Sequence, residues 1–229
     1  MKSSTEIDEI LNTTYNLNEI FFSIQGEGSR AGMPCIFVRM QGCELRCSWC
    51  DTDYALKIGV RESELNGKEI INKIKSFNCR YITFTGGEPL LQRSIIPLME
   101  LLYDDGYLVA VETNGHQSLE GLDDRVIKIM DLKTPSSGMV VHNNFDNIKF
   151  LGRQDEIKFV IGNREDYDWA KSVTTQYKLS EKVSNILLSP VYGMLPSSQL
   201  VEWILSENQP FRLNLQIHKY IWDPKTRGV

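Results

Sequence analysis

Seven short β-rich runs recur along this chain, and stretches with helical apolar spacing separate most of them. The runs fall at 35–40, 80–85, 107–112, 126–131, 157–161, 185–189 and 211–217, with helical stretches at 67–77, 90–104, 165–179 and 197–208. Ile95, Leu98, Leu101 and Leu102 form the apolar stripe of the second helical stretch, and Val201, Ile204 and Leu205 that of the last. Strands that alternate with helices pair in parallel through right-handed crossovers. An α/β fold of about six to seven parallel strands is therefore expected. A full eightfold barrel takes about 250 residues, so 229 residues suit a modified, incomplete (β/α) barrel better. No linker or composition break divides the chain, and residues 1–229 read as one domain, with the polar residues 1–18 partly frayed.

In such folds the reactive groups sit at the carboxyl ends of the strands. The unusual polar and glycine residues fall there. Thr85-Gly86-Gly87-Glu88-Pro89 follows one run, Glu112-Thr113-Asn114-Gly115 the next, and Asp131-Leu132-Lys133-Thr134-Pro135-Ser136-Ser137-Gly138 the one after. Ser189-Pro190 ends another, and the last run leads to Gln216 and His218. One such coincidence is a loop; five along one rim read as an active site.

Cys43, Cys47 and Cys50 are packed into eight residues. Three thiolates can grip one metal centre but cannot complete it, because iron–sulfur clusters and structural zinc sites each take four ligands. The open position is where a metal site does chemistry. Five cysteines and no apolar leader argue against a disulfide framework. Zinc would need a fourth ligand, and no histidine lies within sixty residues of Cys50, although Cys35, Cys79 or a more distant residue could serve. Cys35 and Cys79 lie beside apolar or strand-like residues and read as buried, inert thiols. A net charge of −5 with scattered cations offers no face to nucleic acid. No apolar run has the length of a membrane span, and thiolates kept for metal point to the cytoplasm.

The other motifs carry two readings each. Gly86-Gly87-Glu88-Pro89 is a βα turn with Glu88 as a helix cap and Pro89 at the first helical position, or a place where backbone approaches a ligand. Gln25-Gly26-Glu27-Gly28 is a tight turn, or a carboxamide and a carboxylate reading the donor-rich edge of a pterin or guanine-like ring. Arg39 alternates with Phe37 and Gln41 on one strand face. There it meets an acid in a salt bridge or clamps a substrate carboxylate. Asp51-Thr52-Asp53 is a capped, hydrated turn or an oxygen-rich contact for Mg²⁺. His218 is a satisfied histidine or, beside Gln216, a ligand contact.

The C-x3-C-x2-C triplet with Trp49, taken with Gly86-Gly87-Glu88-Pro89, resembles the signature of radical S-adenosylmethionine (SAM) enzymes. A narrower resemblance runs from about residue 19 to the end. Ser23-Ile24-Gln25-Gly26-Glu27-Gly28, Phe37-Val38-Arg39, Gly42-Cys43, Cys47-Ser48-Trp49-Cys50-Asp51-Thr52, Thr85-Gly86-Gly87-Glu88-Pro89, Glu112-Thr113-Asn114-Gly115, Asp131-Leu132-Lys133-Thr134-Pro135-Ser136-Ser137 and Leu215-Gln216-Ile217-His218-Lys219-Tyr220 together look like 7-carboxy-7-deazaguanine synthase.

That resemblance implies a modified, incomplete radical-SAM barrel, usually a homodimer, fed by an electron donor such as flavodoxin or ferredoxin. The implied reaction is the ring contraction of 6-carboxy-5,6,7,8-tetrahydropterin to 7-carboxy-7-deazaguanine with loss of ammonia, a carbon–nitrogen lyase step toward queuosine. The cluster and SAM carry that chemistry rather than a catalytic side chain. Carried over residue by residue, Cys43, Cys47 and Cys50 hold a 4Fe–4S cluster and Thr52 ligates Mg²⁺. Trp49, Cys50, Asp51, Gly87, Thr134, Pro135 and Ser136 border SAM. Ile24, Gln25, Gly26, Glu27, Arg39 and Thr85 contact the pterin, joined by Glu112, Gln216 and His218. Some members carry lysine after the proline of the 134–138 turn, and some end in a proline whose carboxylate reaches the pterin. Here Ser136 and Val229 stand in those places. Two rivals share features. An activating enzyme for a glycyl-radical protein has the same triplet and Gly-Gly-Glu-Pro turn but takes a protein substrate. A non-catalytic iron–sulfur or zinc module needs full ligation.

Overall fold

In the computed structural model, which describes residues 2–60 and 63–229, the alternation unfolds in chain order. It gives α1 (Ser4–Asn12), β1 (Thr14–Ile24), β2 (Pro34–Met40), β3 (Ser63–Asn66), α2 (Gly67–Lys75), β4 (Tyr81–Gly86), α3 (Ile95–Asp104), β5 (Leu108–Thr113) and β6 (Ile127–Asp131). It continues with β7 (Glu156–Ile161), α4 (Arg164–Gln176), α5 (Leu179–Lys182), β8 (Asn185–Pro190), α6 (Ser197–Glu207), β9 (Arg212–Leu213) and α7 (His218–Ile221). The strands form one sheet in the order β3-β1-β2-β4-β5-β6-β7-β8-β9. From β2 to β9 every pairing is parallel, seven strands in all. At the other edge β1 runs antiparallel to both β2 and β3. β3 and β9 remain as edges, so the sheet does not close, and the barrel is incomplete as expected.

Side-chain alternation sorts the two faces of this sheet. Ile36, Val38 and Met40 of β2 join Ile82 and Phe84 of β4 and Val109 and Val111 of β5 in the main core, against Ile70, Ile74, Leu98 and Leu102 of the helices. The opposite face carries a smaller apolar group, Cys35, Phe37, Tyr81, Ala110, Ile127 and Ile129. Arg39 lies on the second face with Phe37, and both line the cavity described below.

The segment 1–18 is not frayed over its described length. Ser3 caps α1 in a capping box: its hydroxyl accepts from the Glu6 amide, and the Glu6 carboxylate accepts from the Ser3 amide at 2.7 Å. Ile10 of α1 and Tyr15 and Leu17 of β1 are buried. Tyr15 Oη donates to the Ser94 carbonyl at 3.2 Å, and Gln92 bridges both backbone groups of Asn16 at 2.8 Å each. The polar residues between Tyr15 and Leu17 face away from the core, so low hydrophobicity here reflects a half-buried strand rather than a loose end. The last run is also different from expectation. β9 covers only Arg212–Leu213, and His218 begins α7 instead of ending a strand. Tyr15→Ala is expected to cost about 3–5 kcal/mol in a chemical denaturation experiment, whereas a frayed segment would leave the midpoint unmoved.

Candidate active site

Beyond β2 the backbone turns at Gly42, whose φ is +100°, and enters the cysteine loop. That loop closes on itself: the Gly42 amide donates to the Ala55 carbonyl at 2.8 Å and the Cys43 amide to Leu56 at 3.1 Å. The Ser48 amide donates to the Ser137 carbonyl at 3.1 Å, fixing the loop to the turn after β6. Cys43, Cys47 and Cys50 all line one cavity of about 500 Å³. Burial pushes the Cys43 thiol up to about 11 and raises that of Cys47 as well. Such thiols become thiolates only when a cation compensates the lost hydration. The donor set therefore fits a metal centre. Among the described residues no three Cys, His, Asp or Glu side chains are gathered to hold a single metal ion. Three cysteine thiols on one cavity wall are the ligand type that an iron–sulfur cluster takes.

The end of β4 presses against this loop. A Cβ on Gly86, whose φ is +137°, would lie 2.3 Å from the Met40 carbonyl oxygen, and one on Gly87 would lie 2.2 Å from that of Gly42. Backbone contact this close admits only glycine. Glu88 follows and is fully buried. Its carboxylate accepts from the Leu90 amide at 2.9 Å, the Thr113 hydroxyl at 2.9 Å and the Asn114 amide at 2.7 Å. It thus caps the 3-10 turn Pro89–Leu91 and ties it to the end of β5, where the Asn114 amide group reaches to 3.6 Å from Cys43 Sγ. Burial raises its pKa to about 7, against the pull of these donors.

Acids and lysines line the same cavity, and Lys133 and Asp131 among them lie close enough to act on Cys47. Gln25 Nε2 donates to Glu112 Oε1 at 3.1 Å, and the Thr85 hydroxyl donates to Glu112 Oε2 at 3.0 Å. Glu27 accepts from Gln216 at 2.8 Å and pairs with Lys158 at 3.0 Å, while Lys158 also lies 3.7 Å from Asp131. Lys133 closes the series at 3.0 Å from Asp131. Burial works against the Glu27 carboxylate, but the Lys158 ammonium and the Gln216 amide outweigh it and leave its pKa lowered. Glu112 is raised, chiefly by burial. His218 is lowered by burial, and a Cβ on Gly26 would meet its Nδ1 at 2.0 Å.

Arg39 donates from Nε to Glu19 Oε1 at 2.9 Å, so the salt-bridge reading holds. Its terminal amino groups have no hydrogen-bond partner among the described residues, and the guanidinium faces the rings of Phe21 at 5.7 Å and Tyr54 at 5.8 Å. Arg227 covers the Tyr54 ring at 3.7 Å, bringing Gly228 and Val229 to the cavity wall. Asp51 accepts from Gln216 at 3.1 Å and from Lys219 at 3.0 Å, joining the cysteine loop to the C-terminal segment. Thr52 Oγ1 lies 3.8 Å from Cys50 Sγ.

The cavity wall thus brings together Ile24, Gln25, Gly26, Glu27, Arg39, Trp49, Asp51, Thr52, Thr85, Gly87, Glu112, Gln216, His218, Val229 and the three cysteines. Thr134, Pro135 and Ser136 are not among the residues of that wall; their turn adjoins the cysteine loop, where the Ser48 hydroxyl donates to the Ser136 carbonyl at 3.3 Å. Within the turn Thr134 donates to the Val160 carbonyl at 2.8 Å and the Ser136 amide donates to Asp166 at 2.9 Å. Lys133 of the rim motif lines the cavity too, as do Lys158 and Tyr54, which the sequence motifs do not single out. Lysine in the otherwise apolar run Ile157-Lys158-Phe159-Val160-Ile161 was the available signal for Lys158.

Residues 37–133 match the model of the radical SAM superfamily. A 7-carboxy-7-deazaguanine synthase of Koribacter versatilis is 40% identical over 227 residues, covering 93% of this chain and 99% of its own. One of Chlorobaculum tepidum is 42% identical over 217 residues, covering 93% and 97%. The chain belongs to the 7-carboxy-7-deazaguanine synthase family. That family membership makes it a radical-SAM enzyme and implies a 4Fe–4S cluster and SAM. The crystal structure of QueE from Escherichia coli shares the fold, with a TM-score of 0.76 at 22% identity over 93% of this chain and 99% of that one. Among the described residues no helix is long and apolar enough to cross a membrane.

The Glu88 shift has a consequence for stability. Its folded pKa, about 7, lies above the ordinary 4.5, so the folded state holds a proton that the unfolded state releases. The contribution is favourable at low pH and is lost as pH rises from about 4.5 to 7. The melting-temperature difference between the cluster-free wild type and Glu88→Gln should therefore fall across that window, and a constant difference would contradict the assignment.

Proposed function

We propose that this chain contracts 6-carboxy-5,6,7,8-tetrahydropterin to 7-carboxy-7-deazaguanine with release of ammonia, on the route to queuosine and related 7-deazapurines. The observation that carries the reading is the cavity itself. Cys43, Cys47 and Cys50 share its wall with Gln25, Glu27 and Glu112 and with Arg39. A volume of about 500 Å³ suits small molecules. The names borne by the relatives of this chain point to the same product.

Cys43, Cys47 and Cys50 would hold the cluster, and Trp49, Cys50, Asp51, Gly87 and the turn Thr134-Pro135-Ser136 would border SAM. When bound, the cluster and SAM supply a 5′-deoxyadenosyl radical able to take a hydrogen from the substrate and later return it. An alkyl radical attacks almost any nearby C–H bond, so the protein's task is to fix the substrate and exclude water. Glu19 holds Arg39 by Nε, leaving its terminal amino groups for a bidentate grip on the substrate carboxylate. Thr52 would add a Mg²⁺ contact to the same group, since that ion keeps few protein ligands and completes its shell with substrate and water. Gln25 and Glu27 would take the donor-rich edge of the ring, with Ile24, Gly26, Thr85, Glu112, Gln216 and His218 around it. Val229, already at the cavity wall, would present its carboxylate to the substrate. A homodimer in the cytoplasm, reduced by a flavodoxin or ferredoxin, completes the reading.

The test is anaerobic reconstitution with iron and sulfide, then SAM, Mg²⁺, reductant and the pterin, followed by mass spectrometry. Several molecules of 7-carboxy-7-deazaguanine per SAM are expected. SAM cleavage with the pterin intact would sink the substrate assignment and move the protein-activating reading to the front. Within the same assay Arg39→Ala should raise KM for the pterin roughly 10-fold or more, with a smaller effect on kcat, through loss of a charge-assisted bidentate contact.

A further inference from the structure

Lys158 has no task in the reading above, yet it is placed where a task exists. It stands on the cavity face of β7, 3.0 Å from Glu27 Oε2 and 3.7 Å from Asp131 Oδ2, with its side chain 15% exposed. Glu27 also accepts from Gln216 at 2.8 Å on one oxygen and from Asn214 at 3.3 Å on the other. An ammonium and two amides therefore fix this carboxylate. Resting on the pterin reading, we propose that Lys158 is a positioning residue that keeps Glu27 ionised and aimed, so that Glu27 accepts the donor-rich edge of the substrate ring.

The argument is electrostatic. N–H donors on a ring edge need an acceptor, and a carboxyl offers acceptors only on both oxygens when it is ionised. The charged or titratable groups acting on Glu27 are Lys158 from β7, Glu112 from β5, Asp51 from the cysteine loop and His218 from α7, with Asp131 of β6 beside Lys158 and Lys219 of α7 beside Asp51. Three of these are acids, and carboxylates sharing a site drive one another toward protonation. Burial pushes Glu27 the same way, and Lys158 is the ion that reverses it. Lys219 is committed to Asp51 at 3.0 Å, and burial favours the neutral imidazole of His218. Among the described residues Lys158 is the cation paired with Glu27, and its removal takes that pairing away.

The sign follows. With its pKa below the ordinary value, Glu27 of the wild type is ionised throughout pH 6–8 and adds no pH dependence there. In Lys158→Met its pKa rises toward neutrality, so affinity is lost as pH falls. The experiment measures KM for 6-carboxytetrahydropterin in the reconstituted wild type, Lys158→Met and Lys158→Arg from pH 8 to pH 6. The KM ratio of Lys158→Met to wild type should grow roughly tenfold over that range, with kcat less affected and Lys158→Arg following the wild type. The ratio cancels groups common to all three proteins, Glu88 among them. A substrate-free readout runs beside it: carboxyl-¹³C glutamate NMR, with the Glu27 signal assigned from Glu27→Gln, should show Glu27 titrating at higher pH in Lys158→Met. If the wild type leaves the pterin untouched, the substrate reading fails, while this titration still decides whether Lys158 holds Glu27 ionised. An unchanged Glu27 titration, or a KM ratio flat with pH, would overturn the proposal. Should Lys158→Met not fold, Lys158→Gln is held to the same two outcomes.

Discussion

Everything at the site depends on one geometric constraint: parallel strands deliver their carboxyl ends to the same rim. Seven strands run parallel in this sheet. Residues remote in sequence, such as Arg39, Thr85, Glu112, Asp131 and Ser189, therefore come to one cavity wall. The constraint works only if the loops leaving the rim are held tightly. Gly86 and Gly87 allow the end of β4 to touch the backbone of Met40 and Gly42, beside Cys43. Glu88 then ties that loop to the end of β5. Cluster loop, glycine turn and Asn114 thus form one unit before any ligand arrives.

The cavity wall combines buried thiols with charges of both signs. The thiols stay protonated until a metal centre enters, because burial raises Cys43 and Cys47. Beside these thiols the wall alternates sign, from Glu27 to Lys158, Asp131 and Lys133, the last two close enough to act on Cys47. Such paired charges hold one another in place through charge-assisted hydrogen bonds. A site of this kind needs little reorganisation when a polar ring enters. The C-terminal segment belongs to the same design. Gln216 and Lys219 bond Asp51 of the cysteine loop, and Arg227 stacks on Tyr54, so the last part of the chain is tied to the cysteine loop and the cavity wall.

Much of this was legible in the residues. The parallel strands announced themselves because β-branched and aromatic runs alternate with amphipathic helical stretches, and the rim showed as polar and glycine residues at strand ends. What escaped had physical reasons. β1 alternates Tyr15 and Leu17 with asparagines and then turns apolar on both faces, which blurs a period of two. β3 is four residues long and too polar to register. The run 211–217 looked like a strand, but pairing stops at Leu213 and Asn214 turns its side chain to Ser189 and Glu27. Lys158 was visible as a charge in an apolar strand, yet its meaning came only from Glu27, 131 positions earlier in the chain.

The central claim is that the radical source and the ring substrate share this one cavity. Reduced 6-carboxytetrahydropterin, deuterated on its saturated ring carbons, tests it most directly. The reconstituted protein would be run with unlabelled SAM, and the SAM and 5′-deoxyadenosine pools then weighed by mass spectrometry. The account predicts deuterium in those pools as 7-carboxy-7-deazaguanine forms. Cleavage of SAM that leaves both pools free of deuterium would contradict it.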